Sequence, residues 1–167
     1  MGEDGSDGSL TPIVARVAAL LVAAAIAVSR PLAVARDQQR EAAKDPWTES
    51  ETLAPSELAK LLESDKKPAV AYIGPHVLYR AGRIPGATLH GPTSEADGLD
   101  DLKRWANALP RSETLVIYCG CCPIEKCPNI RPAFKALREM GFTRLRVLVL
   151  ATGFEKDWVE QGLAVDQ

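Results

Sequence analysis

Two short apolar runs constrain this chain most: Thr114 to Tyr118, TLVIY, and Leu145 to Leu150, LRVLVL. Both are largely apolar on successive residues, Thr114 and Arg146 aside, and a strand tolerates that only where both faces of its sheet are covered. Ala69 to Ile73 reads the same way, and Thr88 with Leu89 marks a shorter strand. Stretches with helical periodicity lie between them. Pro55-Ser56-Glu57-Leu58 opens one, with Ser56 as the expected cap and Leu58, Leu61 and Leu62 as its apolar stripe. His76 to Ala81 suits one helical turn. Leu99 to Leu109 puts Leu102, Trp105, Ala106 and Leu109 on one face. Asn129 is the expected cap of a helix reaching Met140, with Ile130, Phe134, Leu137 and Met140 facing inward and Gly141 ending it. Phe154 to Gln161 reads as a last helix. The alternation predicts an α/β domain whose mostly parallel central sheet, of about five strands, carries helices on both faces. Reactive groups in such sheets sit at the carboxyl ends of strands, and Cys119 directly follows TLVIY.

The cysteines sharpen that placement. Cys119, Cys121, Cys122 and Cys127 all fall within nine residues. A disulfide framework would scatter its cysteines to join distant segments. One loop holding all four points instead to local chemistry: catalysis, redox or metal binding. The formal net charge is −2, and no basic block interrupts the interspersed charges, so nucleic acid is not an expected partner.

Three regions are expected: an N-terminal signal peptide or membrane anchor over residues 1–35, a polar linker over 36–52, and the domain over 53–167. The segment VAALLVAAAIAVS, residues 17–29, is flanked by Arg16 and Arg30 and followed by Ala33-Val34-Ala35. As a helix it rises only about 20 Å, less than a bilayer core of about 30 Å. A signal-peptide core with an A-x-A cleavage site fits that length, and tilt or snorkelling would let a longer version anchor. The acidic start MGEDGSDGS opposes the first reading, because an n-region should be basic. An Ala-rich helix in solution is the bland alternative. Export to the periplasm or cell envelope is the expectation, with membrane contact through this segment alone.

Several spaced motifs resemble the rhodanese (sulfurtransferase) family. Gly82-Arg83-Ile84-Pro85-Gly86-Ala87 is similar to its G-H-I-P-G-A signature. Val116-Ile117-Tyr118-Cys119-Gly120 is similar to its strand-to-loop motif, whose cysteine carries a persulfide. Gly141-Phe142, the strand through Val147 to Leu150, and Gly153 through Trp158 to Gly162 resemble its C-terminal block. The resemblance runs from about Leu53 to the end and implies a rhodanese-like fold with Cys119 as the catalytic thiol. The chain departs from the family in places. Tyr72 and Gly74 stand where the family has Asp-x-Arg, Arg83 replaces a His, and Ile124 stands where the loop usually has an Arg.

The chemistry of a thiol depends on its thiolate. A loop between a strand end and a helix start offers backbone N–H groups and the positive end of the helix dipole, which favour a thiolate or an anionic persulfide. Lys126 would add to this and Glu125 would oppose it. The active-site loop is read as Gly120, Cys121, Cys122, Lys126, Cys127 and Asn129, and Arg131 could attract an anionic donor. The leading expectation is transfer of sulfane sulfur through a Cys119 persulfide to a thiol or cyanide. The partners would then be a small sulfur donor and a thiol acceptor, with a protein thiol as one form of the acceptor. Thiol–disulfide exchange through the C-x-x-C of Cys119 and Cys122 is an alternative. So is an inactive rhodanese-fold module that binds a partner. A local Cys122–Cys127 disulfide would only stiffen the loop. C-x-C-C-x4-C also offers four soft ligands, although adjacent Cys121 and Cys122 make one tetrahedral cage awkward. No cofactor and no metal is assigned. His76 and His90 read as surface or structural residues, and Trp47, Trp105 and Trp158 as packing residues.

Overall fold

The apolar runs form the strands of one sheet. They are Thr52–Leu53 (β1), Ala69–Tyr72 (β2), Thr88–Leu89 (β3), Thr114–Tyr118 (β4) and Arg144–Leu148 (β5). Their spatial order is β1-β5-β4-β2-β3, and every neighbouring pair is parallel. The structure, a computed structural model, describes residues 45–167. Four helices connect the strands: Pro55–Glu63 (α1), His76–Ala81 (α2), Ala96–Asn107 (α3) and Ile130–Glu139 (α4). The expected α/β class with a five-stranded parallel sheet is the observed one.

β4 lies in the middle of the sheet and feeds both faces. Leu115, Ile117 and Cys119 join Leu102 and Ala106 of α3 and Ile130, Ala133, Phe134 and Leu137 of α4 in one core cluster. Val116 and Tyr118 pack on the other side with Leu58 of α1, Ile84, Leu150 and Trp158. This two-sided burial is why the run is continuously apolar. The turn at Arg83 to Ala87 is pinned to the same strand, since the Ile84 N–H donates to the buried Tyr118 hydroxyl at 3.0 Å.

Several local expectations change. Ser56 does not cap α1. Pro55 already occupies the first helical position, and the Glu57 carboxylate reaches back to the Ala54 N–H at 2.7 Å. α3 begins at Ala96, before the expected Leu99. The last helix is a single π-helical turn, Glu155–Val159. The domain also begins before residue 53, because the compact unit runs from Asp45 to Gln167. Trp47 stands edge-on to Phe134 with centroids 5.5 Å apart. Thr52–Leu53 pairs with Val147 and Leu148 as an edge strand that carries no pattern of its own in the sequence. Residues 45–52 therefore belong to the fold rather than to a linker. The apolar segment at 17–29 and its A-x-A site lie outside the described residues. Among the described residues no helix is long and apolar enough to cross a membrane.

Candidate active site

The loop from β4 to α4 carries all four thiols. Cys119 is the first residue past β4 and is buried. Gly120 follows at φ 72°, a backbone region that glycine enters without penalty. A Cβ at Gly120 would meet Phe154 Cβ at 2.8 Å. The turn there brings Cys121 Sγ to 3.0 Å from Cys119 Sγ, and Cys122 Sγ lies 3.3 Å from that of Cys121. A 3-10 turn at Ile124–Lys126 then folds the chain back, and the Ile124 N–H donates to the Leu150 carbonyl at 3.1 Å. Buried Cys127 closes the group.

All four cysteines are free thiols, so the alternative of a Cys122–Cys127 bridge is not formed. The sulfur of Cys119 meets that of Cys121, and the Cys122 of the C-x-x-C reading is in contact with Cys121 instead. The Sγ atoms of Cys119, Cys121 and Cys127 lie within 4.8 Å of one another. Among the described residues this is the group close enough to hold a soft metal ion.

Asn129 does not cap α4 through its side chain, contrary to expectation. Its backbone is already helical, at φ −87° and ψ −37°, and its side chain makes no cap hydrogen bond. Its amide turns back into the loop instead. Nδ2 donates to Cys119 Sγ at 3.4 Å, and Oδ1 accepts the Ser94 N–H at 2.9 Å. The Asn129 carbonyl also accepts the Thr93 hydroxyl at 2.7 Å. Asn129 is therefore an orienting residue, fixed on both sides.

Charge and access fall on different sulfurs. The Cys127 thiol is held down to about 6 by the Cys119 S–H and then, against its burial, by the Asn129 and Ile130 backbone N–H groups at the start of α4. Cys119 is pushed up, first because its proton is held toward Cys127 and then by burial. The Cys122 thiol is pushed up to about 12, mainly by burial. The resting anion of the pair therefore sits on Cys127 and the proton on Cys119.

Cys119 borders the open pocket, and Cys127 does not. That pocket has a volume of about 440 Å³ and is walled by Tyr72, Leu78, Phe154, Val159 and Val165, with Glu155 as the charged side chain of its lining. Tyr72 is 2% exposed, and its hydroxyl has no hydrogen-bond partner among the described residues. Burial raises its pKa, so the hydroxyl keeps its proton and is a free donor. Gly74 makes room for both groups. A Cβ there would lie 2.7 Å from the Tyr72 oxygen and 2.8 Å from Cys119 Sγ. Sequence reasoning left Tyr72 and Gly74 out of the site. Their signal was present all the same, since they occupy the Asp-x-Arg positions of the family pattern.

The expected cations do not serve the thiols. Lys126 and Glu125 are exposed on the 3-10 turn. Arg131 pairs with Asp45 at 2.6 Å and donates to the carbonyls of Cys127 and Ile124 at 3.3 and 3.5 Å. It clamps the loop to the N-terminal edge rather than attracting an anion. His90 is structural, stacked on Trp105 and bonded to Asp101 at 2.9 Å.

The five-stranded parallel sheet with helices on both faces is that of the rhodanese-like fold. The rhodanese-like domain of an Anabaena sp. protein shares it, with TM-score 0.51 and 19% identity over 70% of this chain and 78% of that one. The 30 kDa polysulfide-sulfur transferase homodimer of Wolinella succinogenes is similar too, with TM-score 0.50 and 18% identity over 81% of this chain and 90% of that one. At such identities the likeness is one of fold. No family model and no curated protein matches the sequence.

Proposed function

We propose that the chain is a sulfurtransferase that carries sulfane sulfur on Cys119. The observation that carries this reading is the position of Cys119: it follows β4, borders the open pocket, and is faced by the Asn129 amide and bordered by the unpaired Tyr72 hydroxyl. Cys119 passes its proton to Cys127, and its thiolate attacks the outer sulfur of the donor. A new S–S bond forms as the donor's S–S bond breaks, and the electron pair leaves with the donor remnant. The product is a Cys119 persulfide, with Tyr72 donating to its outer sulfur. An acceptor thiolate then attacks that sulfur and restores Cys119, so a covalent intermediate divides the transfer into two steps. The likeness to a polysulfide-sulfur transferase supports the reading at the level of fold.

The pocket bears on the substrates. Its lining is mainly apolar, and its charged side chain is a carboxylate. Val77, Leu78 and Val165 are exposed, and the last two line the pocket. Such a pocket favours sulfur on an uncharged or apolar carrier, including a protein thiol, over a small dianion.

Intact mass tests the proposal. The reduced chain is treated with glutathione persulfide or thiosulfate, and the expected result is sulfur delivered to Cys119 and lost in Cys119→Ser. Unchanged mass with both donors, with no sulfide released, would overturn it.

A further inference from the structure

Cys121 has no role in the transfer just described, yet its sulfur lies only 3.0 Å from that of Cys119. The Gly120 turn creates this proximity, and the packing of Phe154 against Gly120 enforces it. The Phe154 N–H also donates to the Gly120 carbonyl at 3.1 Å. A disulfide needs about 2.05 Å between sulfurs, so a closure of about 1 Å would join these two. Cys121 is half-buried and borders Cys119 from within the loop, and it is not among the residues that wall the pocket. A persulfide on Cys119 would therefore have a thiol beside its inner sulfur while its outer sulfur points toward the pocket.

We infer that Cys121 resolves the Cys119 persulfide within the chain, releasing sulfide and leaving a Cys119–Cys121 disulfide. This rests on the sulfurtransferase reading, because the persulfide must form first. The Cys121 thiolate attacks Cys119 Sγ. The Sγ–Sγ bond forms, the bond to the outer sulfur breaks, and that sulfur leaves with the electron pair as hydrosulfide. The outer sulfur is reduced to sulfide, and the two cysteine sulfurs are each oxidised by one electron. Leaving-group acidity favours the step, because hydrosulfide departs more readily than an alkyl thiolate. One turnover needs no other reductant. Further turnover needs an external dithiol, which exchanges with the strained three-residue disulfide and restores both thiols. Under this inference the loop converts sulfane sulfur to sulfide when no acceptor occupies the pocket.

The test uses the full chain, reduced and freed of reductant without oxygen, then treated with one equivalent of glutathione persulfide and, separately, of thiosulfate. The expected result is one sulfide per chain, a protein lighter by two hydrogens, and a peptide map joining Cys119 to Cys121. With Cys121→Ser, sulfide release falls by an order of magnitude or more and the chain heavier by one sulfur accumulates. A wild-type chain that retains the added sulfur and releases no sulfide overturns the inference while leaving sulfur transfer standing. Loss of sulfide release in Cys127→Ser but not in Cys121→Ser assigns the resolving role elsewhere and also overturns it. A chain that reacts with neither donor defeats the underlying sulfurtransferase reading. A circular dichroism spectrum unchanged by each substitution separates chemistry from misfolding.

Discussion

Cys127 is held low first by the Cys119 side chain and then by the backbone N–H groups at the start of α4, while Cys119 borders the pocket. The separation has a measurable signature. Ultraviolet thiolate absorbance should show one of the four thiols ionising near pH 6, and Cys127→Ser should remove that step. Cys119→Ala should move it upward, because the largest contribution to holding the proton off Cys127 is the Cys119 S–H. The sign for stability follows from linkage. Unfolding returns Cys127 to 9.0, so the unfolded chain binds more protons between about 6 and 9. The contribution of Cys127 is full above 9 and is lost as pH falls through 6. Tyr72 makes the second prediction at this scale. Its buried hydroxyl lacks a partner, so Tyr72→Phe should stabilise the resting protein by about 1 kcal/mol in urea unfolding. If the hydroxyl holds the transferred sulfur, the same change should slow persulfide formation about tenfold, as the loss of one ordinary hydrogen bond. These pairings were not legible in the chain. The spacing of the cysteines showed a reactive loop, but which sulfur meets which depends on Gly120 and on the direction in which Asn129 points.

The elements around the loop hold it from outside. α4 presents its first N–H groups to Cys127, and Arg131 on its first turn ties the loop carbonyls to Asp45. The Arg131 guanidinium also lies over the Trp47 ring, 5.7 Å from its centroid, and Arg138 pairs with Glu51. The N-terminal edge is thus stapled to α4 by an aromatic contact and two ion pairs. Trp47→Ala should cost about 2 kcal/mol, read as a lower urea midpoint, through lost apolar burial and the lost edge contact with Phe134. Exposed ion pairs of this kind contribute less, so Asp45→Ala should shift the midpoint much less. Sequence periodicity found β4, β5, α1 and α4, because each buries a continuous face. It missed β1, whose two residues leave no period to read, and it assigned residues 45–52 to a linker because they are polar. Only pairing across to β5 makes Thr52–Leu53 a strand. The cap of α1 was misplaced for a similar reason: Ser56 is a good cap by type, but Pro55 starts the helix one residue earlier.

At the scale of the molecule, both cores converge on β4, and its end is where the sheet meets the pocket. The fold class was readable because continuous apolar strands alternating with amphipathic helices have few other arrangements. The pocket was not readable, since its walls come from β2, α2, the Gly120 turn and the C-terminal π-helical turn, which are far apart in sequence. Glu155, the one acidic side chain of its lining, has a kinetic consequence. Long-range encounter with a charged donor is governed by the field at the mouth, and added salt screens that field. The rate of sulfur uptake from thiosulfate should rise with ionic strength, as repulsion from Glu155 is damped. The reaction of Cys119 with an uncharged dialkyl trisulfide, which leaves a mixed disulfide on the thiol and releases an alkyl persulfide, should not change. Stopped-flow rates with each donor over a salt series, repeated with Glu155→Gln to flatten the thiosulfate trend, would show whether Glu155 sorts sulfur carriers by charge before any bond is made.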